Sequence, residues 1–513
     1  LRQDDFDAYF GDLWIGTHPT GERNKYQVLY FDFSKAGCSM PGADLMTSFN
    51  DYCSLIINQF AHVYAAFYDA DFKETVKNIE SAKSKLAYIE IKAKEKGYPL
   101  YLIIDEYDNF TNVILSEHGQ QMFHDLTHAS GFYREYFKQF KGMFDRIFMM
   151  GVSPVTLDDL SSGYNIDWNI SVDPRFNAMM GFDETEVREM FHYYQQNDML
   201  NGDVEAMIAE MKPWYDNYCF ARKSLDDDRV FNCDMTLYYL RWQVDFHRAP
   251  EEMVDKNIRT DYSKLKMLAR IDRDSVQEGD RMSTIEKIAA EGDIFVDLHT
   301  SFPAERITDI DNFRSLLYYY GLLTMCGTRG DLIKMSIPNN CVRQQYFGFL
   351  RDYYQKYSSI DLHYLNVMLT DMAYDGRWKP FFESVAQAYR ENSAVRDAME
   401  GERNLQGFLK AYLALASYYL VEPELEMNYG YCDFFLLPDK KRYPDVKHSY
   451  ILELKYATRT ATDAELEVQA LEGRNQLLQY SEDKIVRCLS EGTTLHRLLL
   501  QFRGWDLVRC EEV

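Results

Sequence analysis

Tyr450-Ile451-Leu452-Glu453-Leu454-Lys455-Tyr456 is the stretch on which the fold assignment turns. Side chains of a strand point alternately to its two faces, so Ile451, Glu453 and Lys455 share one face and Leu452, Leu454 and Tyr456 the other. Upstream, Gly430-Tyr431-Cys432-Asp433-Phe434-Phe435-Leu436-Leu437 predicts a second strand with one acid near its start. A polar turn at Asp439-Lys440-Lys441-Arg442 joins the two, and the hairpin is expected to bring Asp433 beside Glu453. Two carboxylates at short range suit a hard divalent cation, Mg²⁺ or Mn²⁺, because Mg²⁺ needs only one or two protein carboxylates besides water and phosphate oxygens. Such a metal polarises a scissile phosphate and lowers the pKa of a bound water. Lys455, a compact point charge, would orient that water or stabilise the developing charge.

On spacing alone, an amphipathic edge strand with Glu453 and Lys455 solvated or paired across the hairpin is the commoner outcome, since E-x-K is a short motif. Two features weigh against it. Asp433 sits among Tyr431, Phe434 and Phe435, where an unpaired carboxylate is costly. Beyond the strand, a helix predicted over 463–480 carries Gln476 and Tyr480 four apart on one face. A further helix is expected from Asn404 to Leu420, leading into Glu422-Pro423-Glu424.

These segments, with Gln476-Leu477-Leu478-Gln479-Tyr480, resemble the D…E-x-K…Q signature of the PD-(D/E)XK nuclease superfamily. The resemblance implies Asp433 and Glu453 as metal ligands, Lys455 as the catalytic amine and Gln476 as the helix residue that supports the site. Some members add an upstream helical glutamate, for which Glu402 and Glu422 both stay open. Tyr431 stands where an arginine commonly follows the glycine, a departure that touches substrate contact more than metal binding.

The first third reads differently. Gln27 to Phe33 predicts a strand, and about Asp44 to Lys96 a long helical region. Tyr98 to Ile104 is a continuous apolar run, expected to be a strand buried on both faces, and it ends in Asp105-Glu106. After another helical stretch, Arg146 to Val152 repeats the pattern and ends at Ser153-Pro154. Strand, helix, strand, helix, strand spells βαβ units and a parallel sheet. An apolar strand ending in Asp-Glu fits a Walker B element, with Asp105 holding Mg²⁺ through water and Glu106 polarising the attacking water. Ser153 would be a polar sensor of the terminal phosphate. The plain alternative is that acidic and Ser-Pro turns simply terminate buried strands.

No Gly-Lys dipeptide occurs, so the sequence holds no G-x-x-x-x-G-K-[ST] phosphate loop. Phe10-Gly11-Asp12-Leu13-Trp14, Ile104-Asp105-Glu106-Tyr107-Asp108, Gly151-Val152-Ser153-Pro154 and Trp214-Tyr215-Asp216-Asn217-Tyr218 resemble an AAA-ATPase-like family that carries a C-terminal PD-(D/E)XK domain and is frequent in Bacteroidetes. In that family the phosphate loop lies just upstream of the point where this sequence begins. The resemblance therefore implies truncation before the Walker A loop, and ATP as ligand only where that loop is present.

Between them, residues 183–240 turn helical, including a helix from Glu184 to Tyr194 and an aromatic turn at Trp214 to Phe220. A helix from Phe313 to Tyr320 precedes short strands at Leu322–Met325 and Leu332–Ile337, a winged-helix-like order, and 359–392 is helical. The expected architecture is α/β. It comprises a truncated P-loop NTPase-like core over 1–240, a helical and winged-helix-like region over 241–392, and a nuclease-like domain over 393–513.

A net charge of −25 opposes broad nucleic-acid binding, so contact with DNA must rest on a local patch and a metal. The same charge supports a competing function, a signalling or scaffold (pseudo-)ATPase whose nuclease-like domain only binds nucleic acid or protein. Nine scattered cysteines without a C-x-x-C pair read as reduced thiols, not a disulfide frame or zinc site. No Ser-His-Asp, Cys-His or H-E-x-x-H arrangement supports other hydrolytic chemistry. The expected setting is bacterial cytoplasm, with DNA as partner, a homo-oligomer left open and no membrane.

Overall fold

In the computed structural model, which describes residues 5–36, 45–109, 132–154, 168–227, 229–255, 278–302, 309–355, 360–391, 402–416, 418–427 and 430–513 together with residues 265, 268 and 306, the chain is mixed α/β. Contacts divide it into two compact units, Leu1–Trp168 with His299–Asn312 and Asn169–Leu298 with Phe313–Val513. No described helix is long and apolar enough to cross a membrane. The described cysteines are all free thiols, four of them buried: Cys53, Cys219, Cys341 and Cys432.

The first unit holds a parallel three-stranded sheet in the order β1 (Gln27–Asp32), β2 (Leu100–Asp105), β3 (Arg146–Met149). The expected helical region is three separate helices, Leu45–Val63, Phe72–Asn78 and Ala82–Lys96. In β2, Leu100, Leu102 and Ile104 are buried while Tyr101, Ile103 and Asp105 are half-buried, so the run expected to be covered on both faces is fully covered on one. Register places Asp32 beside Asp105 at the ends of their strands.

The second unit carries helices and two sheets. Trp214 and Tyr215 belong to the Val204–Tyr215 helix, not to a turn, and Pro213 sits inside that helix. The expected helix and hairpin are present as Ile310–Tyr319, β5 (Thr324–Arg329) and β6 (Leu332–Ser336). A further strand, β4 (Asp293–Val296), pairs with β6 to make the order β4-β6-β5.

The last sheet contains β7 (Tyr419–Met427), β8 (Gly430–Pro438), β9 (His448–Ala457), β10 (Thr494–Arg503) and β11 (Asp506–Glu512) in the order β11-β10-β9-β8-β7. β9 is therefore central, not an edge. It pairs antiparallel with β8 and parallel with β10, the crossover running through the Asp463–Ser481 helix. That helix starts at a capping box of Thr462 with Glu465 and lays Leu466, Ala470, Gly473, Leu477 and Tyr480 on the sheet. The helix expected to reach Leu420 ends at Leu413, and Tyr419 opens β7. Pro423 stops helical continuation, and β7 tolerates it because an edge strand can spare an N–H.

Candidate metal site and the Walker B strand end

Because β9 is covered on both faces, Glu453 is only 3% exposed, and the polar face of its alternation points into protein instead of water. Ile451 packs with Leu477 and Tyr480 of the Asp463–Ser481 helix, so Glu453 and Lys455 face that helix too. Gly473 permits the approach: a Cβ there would lie 2.7 Å from Leu499 Cδ1 and 3.4 Å from Lys455 Cε.

Strand β8 pairs Phe434 with Leu452, Phe435 with Ile451 and Leu436 with Tyr450, and the ladder stops there. At the next position Asp433 meets β9 through its side chain. The Leu454 N–H donates to Asp433 Oδ2 at 2.7 Å. Gln406 Nε2 donates to Asp433 Oδ1 at 3.1 Å. Lys455 Nζ donates to Glu453 Oε1 at 2.7 Å, forming an ion pair. Three of the four residues singled out in the sequence, Asp433, Glu453 and Lys455, thus converge where β8 leaves β9.

Electrostatics there is strained in a consistent direction. Burial, opposed by the Leu454 N–H, holds the Asp433 carboxyl above the usual carboxylate range. Burial and then the Asp433 charge push Glu453 up as well, with Lys455 pulling the other way. Glu402 raises Asp433 and Asp433 raises Glu453, so the adjoining acids titrate as a coupled set. Glu453 Oε2 and Gln476 Oε1 are both buried acceptors without a hydrogen-bond partner. The orphaned oxygen of Glu453, beside Asp433, fits a hard cation that the protein itself does not supply. Among the described residues no group of three or more His, Cys, Asp or Glu side chains can hold a metal. Two adjoining carboxylates are the kind of protein share that Mg²⁺ or Mn²⁺ takes while keeping several waters.

Of the two upstream glutamates, Glu422 lies in β7 opposite Phe435, whereas Glu402 opens the Glu402–Leu413 helix. Glu402 interacts electrostatically with Asp433, Glu453 and Lys455. Gln406 and Lys410 follow it on the same helix face and had not been singled out. Their signal was available: polar residues at i, i+4 and i+8 in a helix whose Leu405, Phe408, Leu409 and Tyr412 are buried.

Residues 400–512 match the family model described as PD-(D/E)XK nuclease superfamily. The C-terminal segment is a PD-(D/E)XK nuclease superfamily domain. Residues 1–161 match the model described as "Predicted AAA-ATPase", which makes the N-terminal segment AAA-ATPase-like. No curated protein matches the chain.

In the AAA-ATPase-like segment, Asp105 ends β2, accepting from Tyr30 Oη and from the Glu106 N–H, each at 3.0 Å. Glu106 takes φ 53°, a left-handed conformation uncommon for glutamate, which turns the chain sharply after the strand. Burial, with Asp108 next, pushes its carboxyl above the usual range. Ser153 is buried: its N–H donates to Asp108 Oδ2 at 2.5 Å and its carbonyl accepts from Tyr107 Oη at 2.7 Å. Asp108 also accepts from the Val152 N–H at 3.1 Å, so it fixes the loop after β3.

That clamp leaves no room at Gly151, where a Cβ would lie 2.4 Å from Asp108 Oδ1 and 2.5 Å from Tyr107 Cε1. Gly151→Ala is expected to destabilise the first unit by about 1–3 kcal/mol, the usual cost of overpacking. Chemical denaturation would show it as a lower midpoint; an unchanged midpoint would mean that the clamp yields freely.

Proposed function

We propose that this chain is an ATPase-associated, metal-dependent nuclease-like protein whose C-terminal domain hydrolyses DNA phosphodiesters. The observation that carries the proposal is the convergence of Asp433, Glu453 and Lys455, with Glu453 Oε2 buried and without a hydrogen-bond partner. Asp433 and Glu453 would hold Mg²⁺ or Mn²⁺, which when bound supplies Lewis-acid polarisation of the phosphate and a more acidic water. Lys455, steadied by Glu453, neutralises charge that builds on the phosphate oxygens. Gln476 Oε1 would accept a hydrogen bond from the attacking water and so orient it. Burial of Glu453 and half-burial of Asp433 keep bulk water from diluting these interactions.

In the N-terminal segment we assign Asp105 to a water-mediated Mg²⁺ contact, Glu106 to polarising water and Ser153 to sensing the terminal phosphate of ATP. The proposed organisation keeps three parts, 1–240, 241–392 and 393–513, with a winged-helix-like layout in the middle. The proposed setting is the cytoplasm.

The net charge of −25 favours the second function, a scaffold or signalling (pseudo-)ATPase with a binding-only nuclease-like domain. Incubating the protein with plasmid and single-stranded DNA, with Mg²⁺ or Mn²⁺ and with chelator, separates the two. Metal-dependent cleavage supports the nuclease; substrates left intact under every condition hand the assignment to the scaffold.

A further inference from the structure

We propose that Gln406 is a positioning residue for the cation site, acting through Asp433; this rests on the metal-site assignment made above. The Glu402–Leu413 helix buries Leu405, Phe408, Leu409 and Tyr412 and carries Glu402, Gln406 and Lys410 one turn apart on a single stripe. Gln406 is 7% exposed, and its carboxamide is spent on Asp433 Oδ1 at 3.1 Å. The Leu454 N–H takes Oδ2 at 2.7 Å. One donor on each oxygen fixes both side-chain torsions of Asp433, and each oxygen retains a second lone pair for a cation.

The chemistry of residue 406 matters as much as its reach. An arginine or lysine there would hold Asp433 equally well but would cancel the negative charge that attracts a divalent ion. A neutral carboxamide orients the carboxylate and leaves its charge available. Lys410, the cation on the same stripe, donates instead to the Ala290 carbonyl near the end of the Glu278–Glu291 helix, with its ammonium 5.6 Å from the Phe434 ring centre. That tether sets the axial position of the helix, and hence the height at which Gln406 meets Asp433.

Hydrogen-bonded partners of metal ligands typically contribute about 10–100-fold to metal affinity. The test titrates the full chain with Mn²⁺ and counts the free ion by electron paramagnetic resonance, using wild type, Gln406→Met and Asp433→Asn. Expected results are saturable binding by wild type, loss of binding in Asp433→Asn, and affinity weakened about tenfold or more in Gln406→Met with cooperative unfolding retained. Gln406→Asn keeps the amide but withdraws it by one carbon; weakened binding is expected there too, and it serves if the methionine variant does not fold. Wild-type affinity in a folded Gln406 variant, alongside a defective Asp433→Asn, overturns the role of Gln406 and leaves the metal site standing. No binding by wild type, or full binding by Asp433→Asn, removes the metal site and this proposal together.

Discussion

Lys455→Ala is expected to slow metal-dependent DNA cleavage by about 10²–10³-fold, the usual cost of removing one charge-stabilising donor. The chain should keep its fold. Lys455 Nζ contacts Glu453 Oε1 at 2.7 Å, and Glu453 is held above its ordinary pKa by burial and by Asp433, with Lys455 as a restraint. Deleting the amine removes that restraint, so Glu453 rises further and takes up a proton instead of standing as an unpaired buried charge. The sign of the linked stability follows. A carboxyl whose folded pKa lies above its unfolded value binds more protons when folded, so stability falls as pH rises between those two values. In the variant that window extends to higher pH, and its unfolding midpoint should drop more steeply than wild type from about pH 6 to 9. Cleavage is best compared at about pH 8.5 with saturating Mn²⁺, where the bound ion displaces the Glu453 proton in both proteins and lost ion binding does not masquerade as lost chemistry. Cleavage by the variant within about threefold of wild type would remove Lys455 from the mechanism.

Why these three residues were legible and their surroundings were not has a physical reason. The period of two in Tyr450–Tyr456 is local, so the face shared by Glu453 and Lys455 can be read from seven residues. The hairpin with β8 is nearly local as well. By contrast, β9 is central only because β10, which begins 37 residues after β9 ends, pairs along its full length, and β11 then closes the edge. No pattern inside β9 announces that partner, which is why spacing alone points to an amphipathic edge strand. Leu413 to Leu420 is apolar with good helix formers, so the helix was drawn too long. The chain breaks it because Tyr419–Met427 finds a ladder with β8. Gln406 is an ordinary helix residue until Asp433, 27 positions later, supplies its partner. In the first unit the three strands and their parallel pairing were legible from apolar runs alternating with helical stretches. Asp108 was not, since its role is to accept amides from a loop more than forty residues away.

A second large effect is expected at Glu286, which touches none of the candidate site residues. It lies in the Glu278–Glu291 helix, 4% exposed, and accepts a hydrogen bond from Tyr354 Oη at 3.0 Å. Tyr354 and Tyr389 in turn pack against Phe408, with ring centres 4.9 and 5.2 Å away, so the carboxyl adjoins a cluster of aromatic rings. Burial pushes its carboxyl up to about 7 from the ordinary 4.5, and the Tyr354 hydrogen bond recovers only part of that. Because the folded pKa is the higher one, the folded state is favoured while Glu286 carries its proton and loses ground as pH climbs from about 4.5 to 7. Holding the ionised form at about pH 8 then costs on the order of 3 kcal/mol. A glutamine side chain has nearly the same shape and still offers Oε1 to Tyr354, but never ionises. Glu286→Gln is therefore expected to raise the urea midpoint at about pH 8 by an amount worth roughly 2–3 kcal/mol and to lie within about 1 kcal/mol of wild type near about pH 5. The pH dependence is the discriminating part. A gain of equal size at both pH values would trace to packing or the amide hydrogen bond, and no gain at the higher pH would mean that water reaches the carboxylate.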